Sequence, residues 1–228
     1  MGLAKHKYCW QEQALLYFTA VSKRAYGQFC GIVRAVELIG ERWALLIIRD
    51  LLVKPKRYSD LRQGLPRIPT NILAARLKEL ASAGIVRRRL LSRPSGVVYE
   101  LSDYGRELED IVLRLGRWGA KSLTEPGRED IVTVDSLIMA LRSNFRAGRD
   151  ASYELHLGDI VIHASIRGGR LEVAEGTLPD ADLVIETGTA IMTLMAGEVT
   201  PAKAIESGSV RLAGNVDLLS RFVDTFRI

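Results

Sequence analysis

The spacing of apolar residues predicts a group of helices in the first half of the chain. In the first helix the apolar positions recur every three or four residues, and Gly40 ends it. These positions are Ile32, Val33, Val36 and Ile39. The next run, residues 43–53, is apolar on nearly all sides, which is typical of a helix buried at the centre of a small domain. Pro55 stops it, and Ser59 is expected to cap a short helix through Gly64.

A stronger amphipathic helix is predicted over residues 70–83. Three leucines, Leu73, Leu77 and Leu80, fall on one face. The opposite face is small and polar, and it consists of Asn71, Ala75, Lys78 and Ser82, flanked by Thr70 and Ala74. A face without bulk or acidic groups suits entry into the DNA major groove. By itself, however, such a face is more often only solvated.

Two β-rich runs follow, at residues 85–91 and 97–101, joined by a turn over residues 93–96. Alternation places Arg87 and Arg89 on one face of this hairpin and Arg88 on the other, with Arg93 in the turn. Such basic side chains suit contact with phosphates, although they also protect a strand edge from aggregation. The order helix, turn, helix, hairpin is that of a winged DNA-binding domain and favours the first interpretation.

A last helix of this half is predicted from Asp103 to about Leu123, capped by Ser102. Its apolar stripe comprises Leu108, Ile111, Val112, Leu115 and Trp118. The stripe is longer than a small winged domain would bury internally. We therefore expect part of it, near Trp118, to form a dimer interface, whose two-fold symmetry would match paired DNA half-sites.

The pattern changes after residues 125–127, where Glu-Pro-Gly breaks the helix. One amphipathic helix is predicted over residues 134–145. Four predicted strands follow it, at residues 153–157, 160–166, 171–173 and 181–187. Helices over 190–196 and 202–207, a short strand at 210–212 and a final helix after Asn215 complete the pattern. This indicates an antiparallel sheet covered by helices.

Length and charge support two domains. The 228 residues are 47% hydrophobic and 26% charged, which is ordinary for a globular protein. Residues 1–124 contain 22 basic and 11 acidic residues, whereas residues 125–228 contain 10 and 16. A basic half suits a polyanion such as nucleic acid. We predict an N-terminal arm (1–25), a DNA-binding and dimerisation domain (26–123) and a second domain (124–228).

Several classes of function are disfavoured. The chain has no phosphate loop, nucleophile elbow or zinc-ligand spacing, so no enzyme, cofactor or metal is predicted. His156 and His163 lie on successive predicted strands and could face each other, but such pairs are more often structural. No run approaches 18 uncharged apolar residues, which argues against membrane insertion. With two cysteines and no secretory signal pattern, a cytoplasmic protein is expected.

Residues 26–119 resemble the HxlR-type winged helix-turn-helix regulators, a branch near the MarR regulators. The resemblance is carried by YGQFCGIVRAVELIGERWALLIIRDLL, KPKRYSDLRQGLP, TNILAARLKELASAGIVRR and VVYELSDYGRELEDIVLRLGRWG. It implies a dimeric transcription factor, with dimer contacts from the first and last helices. It also implies that residues 70–78 read double-stranded DNA and that residues 87–95 form the wing. The residues expected to contact DNA are Arg57, Ser59, Thr70, Asn71, Ala74, Ala75, Lys78, Arg87, Arg89, Arg93 and Ser95.

Cys30 is a second candidate site. Members of this family often carry a cysteine just before the first long helix, and in some it senses oxidants. A helix N-terminus favours the reactive thiolate. This chain has Gly31 where the family commonly has proline, and a small buried apolar role for Cys30 is the alternative.

The block DADLVIETGTAIMTLMAGEVTPAKAIESGSVRLAGNVDLLSRFVDTF resembles the sterol-carrier-protein-2 family. The resemblance implies an apolar cavity for a fatty or sterol-like ligand, although the domain is short for that family. Candidate lining residues are Ile191, Met192, Leu194 and Met195, with plain core as the alternative. The predicted fold class is α+β, with a winged helix-turn-helix domain followed by a sterol-carrier-like domain.

Together these patterns predict a homodimeric DNA-binding regulator, with repression as the expected mode. An apolar effector in the second domain, or the redox state of Cys30, would modulate it. The alternative is a lipid carrier or scaffold whose winged domain serves only dimerisation.

Overall fold

The structure is a computed structural model that describes residues 25–93, 95–123, 127, 129–188 and 190–228. The chain divides into two compact units, residues 1–109 and 110–228. The predicted N-terminal arm, apart from its last residue, lies outside the described residues, as do Pro94 of the wing turn and residues 124–126 of the predicted domain boundary.

In its described residues, the first unit comprises helices packed with a two-stranded wing. The helices are α1 (Gly31–Ile39), α2 (Ala44–Val53), α3 (Tyr58–Gly64) and α4 (Thr70–Ser82). The wing pairs β1 (Val86–Ser92) antiparallel with β2 (Ser95–Leu101). Two helices follow, α5 (Asp103–Arg106) and α6 (Glu109–Ala120), and all of α6 except Glu109 falls in the second unit. The core is built from fully buried side chains of α2, α3, α4 and the wing, among them Ile47, Ile48, Leu61, Leu73, Leu80 and Leu101.

Two local expectations for this unit are wrong. Ser59 does not cap α3, because the helix already begins at Tyr58 and Arg57 is the capping residue. The Asp60 carboxylate accepts a hydrogen bond from the Arg57 backbone NH at 2.8 Å. The helix expected from Asp103 to about Leu123 is two helices separated at residues 107–108. Ser102 does cap the first of them, accepting from the Gly105 NH at 3.0 Å.

Gly105 explains how α5 lies so close to the wing. A Cβ atom at this position would collide with the Ile85 carbonyl oxygen, which belongs to the residue before β1. The absent side chain therefore allows the backbone of α5 to contact the base of the wing directly.

The second unit is a five-stranded sheet with helices. It comprises α7 (Val134–Asn144), β3 (Ala151–Leu157), β4 (Ile160–Arg167), β5 (Arg170–Glu175), β6 (Leu183–Thr187), α8 (Ala190–Ala196), α9 (Pro201–Glu206), β7 (Val210–Gly214) and α10 (Leu218–Thr225). The strand order is β5-β4-β3-β6-β7. The sheet is mixed and not antiparallel as expected, since β3 and β6 pair in parallel. The reason is the connection over residues 176–182, which carries the chain from β5 past β4 and β3 to the far side of β3.

The apolar face of this sheet packs into an aromatic core. Tyr153 of β3 lies 5.2 Å from Phe222 of α10 between ring centroids, and Phe222 lies 4.8 Å from Phe226. All three side chains are fully buried. The burial of Tyr153 raises the pKa of its hydroxyl, because desolvation disfavours the phenolate.

Candidate nucleic-acid interface and apolar cleft

The outer face of α4 has the composition expected from its sequence. Thr70, Asn71, Ala74 and Lys78 are exposed, and Ala75 and Ser82 are half-buried. On the opposite face Leu73, Leu77 and Leu80 are at most 2% exposed, which confirms the predicted amphipathicity. The helix therefore presents a small polar surface that is anchored from behind by the core.

Two contacts of side chains fix α4 within the unit. The Tyr58 hydroxyl at the start of α3 donates to the Thr70 carbonyl at 2.8 Å, so the first residue of α4 is tied to the preceding helix. Arg76 pairs with Glu41, in the α1–α2 connection, at 3.2 Å, and also with Glu79. These bonds orient the candidate reading helix without using its exposed face.

Backbone hydrogen bonds join the wing to the segment that precedes α3. Lys56 donates to the Tyr99 carbonyl at 2.9 Å, and Tyr99 donates back to Lys56 at 2.7 Å. At the tip, the Arg57 guanidinium donates to the Ser95 carbonyl at 3.2 Å. Arg57 is half-buried, so it supports the wing as well as lying near the expected interface. Ser59 and Ser95 are exposed.

The arginines of the wing are divided as alternation predicts, but two of them are already paired. Arg87 and Arg89 lie on one face, and their Nε atoms donate to the two carboxylate oxygens of Glu100 at 2.9 and 2.8 Å. Arg88 lies on the other face, 6.0 Å from the ring centre of Tyr99. Arg93 is exposed at the tip, and within the described part of the chain no ion pair involves it. The four arginines are thus not equivalent.

Glu100 was missed by the analysis of the sequence. It is 6% exposed and stands directly opposite Arg87 in the β1–β2 register. The hydrogen bond from Arg89 lowers the pKa of Glu100; burial opposes this effect and the bond from Arg87 adds to it. The signal that could have found it is the position of Glu100 in the second strand of a hairpin whose first strand carries three arginines.

Cys30 lies at the N-terminus of α1 and is exposed, so the interpretation as a buried apolar residue is wrong for this chain. The backbone NH groups of Val33 and, to a smaller extent, Ile32 lower the pKa of the thiol. Cys9, the other cysteine, lies outside the described residues.

Two helices carry apolar side chains on their outer surfaces. On and just before α1, Phe29, Ile32 and Val36 are exposed. The stripe on α6 is divided, because Val112 is 9% exposed whereas Trp118 is 74% exposed. The exposed apolar residues of α6 are Ile111, Leu115 and Trp118.

The second unit contains a small apolar cleft between α7, α8 and the sheet. Of the four candidate residues, Ile191, Met192 and Met195 line it, whereas Leu194 is fully buried and does not line it. The remaining lining residues are Leu137, Ala140, Leu141, Leu155, Leu157 and Ile162. Its enclosed space holds about one water molecule, so a fatty or sterol-like ligand would require α8 or α7 to move.

The opposite face of the sheet carries His156 and His163, which do not pair with each other. Glu154 is the partner of His163 in the β3–β4 register, and it accepts a hydrogen bond from His156 Nε2 at 2.6 Å. Glu154 also accepts from the Leu178 NH at 2.6 Å, and His163 Nδ1 donates to the Gly176 carbonyl at 3.0 Å. Both histidines therefore belong to a network that holds the 176–182 connection against the sheet.

No group of three or more His, Cys, Asp or Glu side chains in the described parts of the chain is arranged to hold a metal ion. Nor is any helix among those residues long and apolar enough to cross a membrane.

Known proteins resemble the first half of the chain. A model of the HxlR-like helix-turn-helix family matches residues 38–126. The HTH-type transcriptional regulator YtcD of Bacillus subtilis (strain 168) is 38% identical over 89 residues, which are 39% of this chain and 71% of YtcD. YodB, an HTH-type transcriptional regulator of the same strain, is 38% identical over 94 residues, which are 41% of this chain and 83% of YodB.

Among solved structures, the redox regulator HypR in its oxidized form is similar to this chain at 31% identity. The match covers 42% of this chain and 99% of HypR, with a TM-score of 0.40. YtcD and YodB match this chain over more than two thirds of their own length. The chain therefore belongs to the HxlR-like helix-turn-helix family of transcriptional regulators.

Proposed function

We propose that the protein is a dimeric cytoplasmic repressor that reads operator DNA with α4 and responds to an apolar effector in its second unit. The observation that carries the first part is the exposed, small and polar face of α4 beside a wing that backbone hydrogen bonds fix to the α3 segment. A helix of this kind can lie in the major groove while the wing contacts the flanking backbone.

The exposed residues of α4 have distinct roles in this proposal. Asn71 is suited to a paired hydrogen bond with an adenine edge, and Lys78 to a guanine edge or a phosphate. Thr70, Ala74 and Ala75 allow close approach, and a methyl group among them can contact thymine. Arg93 and Ser95 at the wing tip would contact the backbone.

The exposed apolar faces of α1 and α6 support dimerisation. A side chain as large as Trp118, 74% exposed, is costly to leave in water, and a second copy of the chain would cover it. In a two-fold dimer the α4 helices of both copies would meet adjacent half-sites of the operator.

The effector half of the proposal rests on the apolar cleft and on the contacts of α6. Arg117 of α6 donates to the carbonyls of Ser143 and Phe145, at 2.7 and 3.2 Å, at the C-terminal end of α7. At Gly116 a Cβ atom would lie 2.6 Å from the Ser143 hydroxyl, so glycine allows this close packing. Because α7 also lines the cleft, a ligand that displaces α7 would move α6 and, with it, the proposed dimer interface.

An effector changes DNA binding only if it binds one dimer geometry better than the other. The sterol-carrier-like pattern and the flexible Met192 and Met195 favour an apolar ligand. Oxidation of the exposed Cys30 thiol is a second route to the same change, since Cys30 adjoins the apolar face of α1.

A lipid carrier that uses the winged domain only for dimerisation is the second candidate, and the near-closed cleft gives it less support. Binding of the protein to a fluorescent duplex from its own promoter separates the two. We expect Asn71→Ala and Lys78→Ala to weaken operator binding about tenfold each, whereas the matched control Lys203→Ala, at an exposed lysine of α9 in the second unit, does not. Absence of sequence-specific binding by the wild-type protein at moderate salt contradicts the proposal.

A further inference from the structure

The wing contains an ionic cluster formed by Glu100, Arg87 and Arg89. Glu100 receives one guanidinium on each carboxylate oxygen, and both bonds come from Nε atoms. The Glu100 side chain is 7% exposed, while those of Arg87 and Arg89 are 62% and 47% exposed. The terminal nitrogens of both arginines therefore remain open to solvent on the outer side of the cluster.

The arginines cannot leave this arrangement cheaply. If both turned away to bind phosphates independently, they would leave a buried carboxylate without compensation, which is strongly unfavourable. The hydrogen bond from Arg89, supported by that from Arg87, lowers the pKa of Glu100 and keeps it ionised at neutral pH. The cluster therefore stays together and carries one net positive charge, although its sequence contributes two arginines.

The geometry of the cluster suits a DNA backbone of defined shape. Arg87 and Arg89 are two residues apart on one strand, so their backbones are separated by about 7 Å. The two guanidinium groups nevertheless converge on the carboxylate of Glu100, which fixes where each of them lies. Held in that arrangement, the two groups would fit a DNA backbone of one shape better than others.

We propose that Glu100 is a positioning residue for DNA recognition, which fixes Arg87 and Arg89 as one unit and thereby favours operator DNA over nonspecific DNA. This inference rests on the proposed function and specifies how the wing contributes to it. The carboxylate lowers the charge available for indiscriminate phosphate binding. The fixed geometry retains the contact where the operator brings the backbone to the wing in the correct shape.

The test compares Glu100→Gln with wild type by measuring affinity for operator and random duplexes over 50 to 200 mM salt. Glutamine keeps the shape but removes the charge, so one more positive charge is available to phosphates. We expect log K against log salt to steepen by about 0.9, which is roughly a 3.5-fold greater loss of affinity over that range. The operator-to-random affinity ratio should fall at least about threefold, since the released arginines bind phosphates of any spacing.

Two further variants make the outcome specific. Glu206→Gln, on an exposed residue at the end of α9 in the other unit, makes the same change in net charge and should leave slope and ratio unchanged. The double variant Arg87→Lys with Arg89→Lys keeps both charges and a partner for Glu100 but loses the fork geometry of the guanidinium. It should keep the wild-type slope and lower the ratio.

A folded Glu100→Gln protein with wild-type slope and ratio overturns the inference. If thermal unfolding shows that this variant does not fold, the lysine double variant decides, and a wild-type ratio there overturns it as well. If the wild-type protein itself fails to distinguish the operator from random DNA, the proposed function fails instead, so the two failures are separable.

Discussion

The wing and the five-stranded sheet each contain a buried glutamate that is paired across two strands, but the two glutamates bind different partners. In the wing, buried Glu100 faces Arg87 across the strand pair; in the sheet, buried Glu154 faces His163 across another. Glu100 binds two exposed arginines and reaches no loop in the hydrogen bonds found among the described residues. Glu154 binds His156 and the Leu178 NH of the connection between β5 and β6.

The difference shows that a carboxylate paired across two strands can have different roles. Around Glu100 the partners are permanently charged and directed outward, so the cluster is available to an external polyanion. The partners of Glu154 include the backbone NH of Leu178, so that cluster holds the connection between β5 and β6 against the sheet. The remaining hydrogen-bond partners of such a carboxylate therefore indicate whether it orients exposed side chains or supports the fold.

The largest effect should come from breaking the structural support. Glu154→Leu removes the acceptor for the Leu178 NH and for His156, leaving donors unsatisfied, and we expect the second unit to lose about 3 kcal/mol of unfolding free energy. Urea unfolding followed by amide exchange at Leu178 measures this. Glu172→Leu, on the exposed edge strand β5, is the control. Unchanged exchange at Leu178 would mean that Glu154 is not the support.

A smaller effect, on DNA and not on stability, should follow from Asn71→Ala. The side chain is exposed on α4, so the unfolding free energy should change by less than about 0.5 kcal/mol. Loss of a paired base contact should weaken operator binding by about 1–3 kcal/mol, with little change for random DNA. Equal weakening for both duplexes would show that Asn71 contacts the backbone and reads no base.

Arg93→Ala tests whether an arginine outside the Glu100 cluster contributes to DNA binding differently from Arg87 and Arg89. As an exposed arginine outside the Glu100 cluster, it should contribute one ordinary phosphate contact. Affinity should then fall about equally for every duplex, and the salt slope should become shallower by about 0.9. Titration of operator and random duplexes at several salt concentrations checks this, and a loss confined to the operator contradicts it.

The smallest effect concerns acid stability, where the two carboxylates should behave alike. The pKa of Glu154 is lowered: burial opposes ionisation, but hydrogen bonds from His156 and the Leu178 NH outweigh it. That of Glu100 is lowered chiefly by Arg89. Each should therefore stabilise the fold above its unfolded pKa and lose that contribution as pH falls through the folded value.

The comparison can be made with Glu154→Gln and Glu100→Gln, which remove the titrating groups. Below about pH 4.5, the ordinary value for glutamate, both variants should lose less unfolding free energy per pH unit than wild type. Urea unfolding at a series of pH values provides the measurement. A wild-type acid dependence in either variant would show that its carboxylate does not contribute.

Much of the local structure could be predicted from the sequence. The leucines of α4, the buried run of α2, the Ser102 cap and the division of wing arginines between two faces follow from helical and strand periodicity, which neighbouring residues determine. The break at residues 107–108 could not be predicted in this way, because the apolar positions of the sequence continue with helical spacing through it.

The candidate site shows where periodicity stops being informative. It places Arg87 and Arg89 on the same side but does not give the register that puts Glu100 opposite Arg87, where its carboxylate binds both arginines. It marks α8 as apolar but does not separate Met192, which lines the cleft, from Leu194, which is buried away from it. These outcomes depend on which strands and helices meet.

The sequence by itself determined the order of the elements, the polar face of α4 and the family to which the first half is similar, since these depend on neighbouring residues and short motifs. Only the tertiary structure decided that β6 joins β3 in parallel, that Glu154 holds the 176–182 connection and that Glu100 binds two arginines of the wing. The physical reason is that burial and pairing between strands join residues distant in sequence, and such contacts leave no period in the chain.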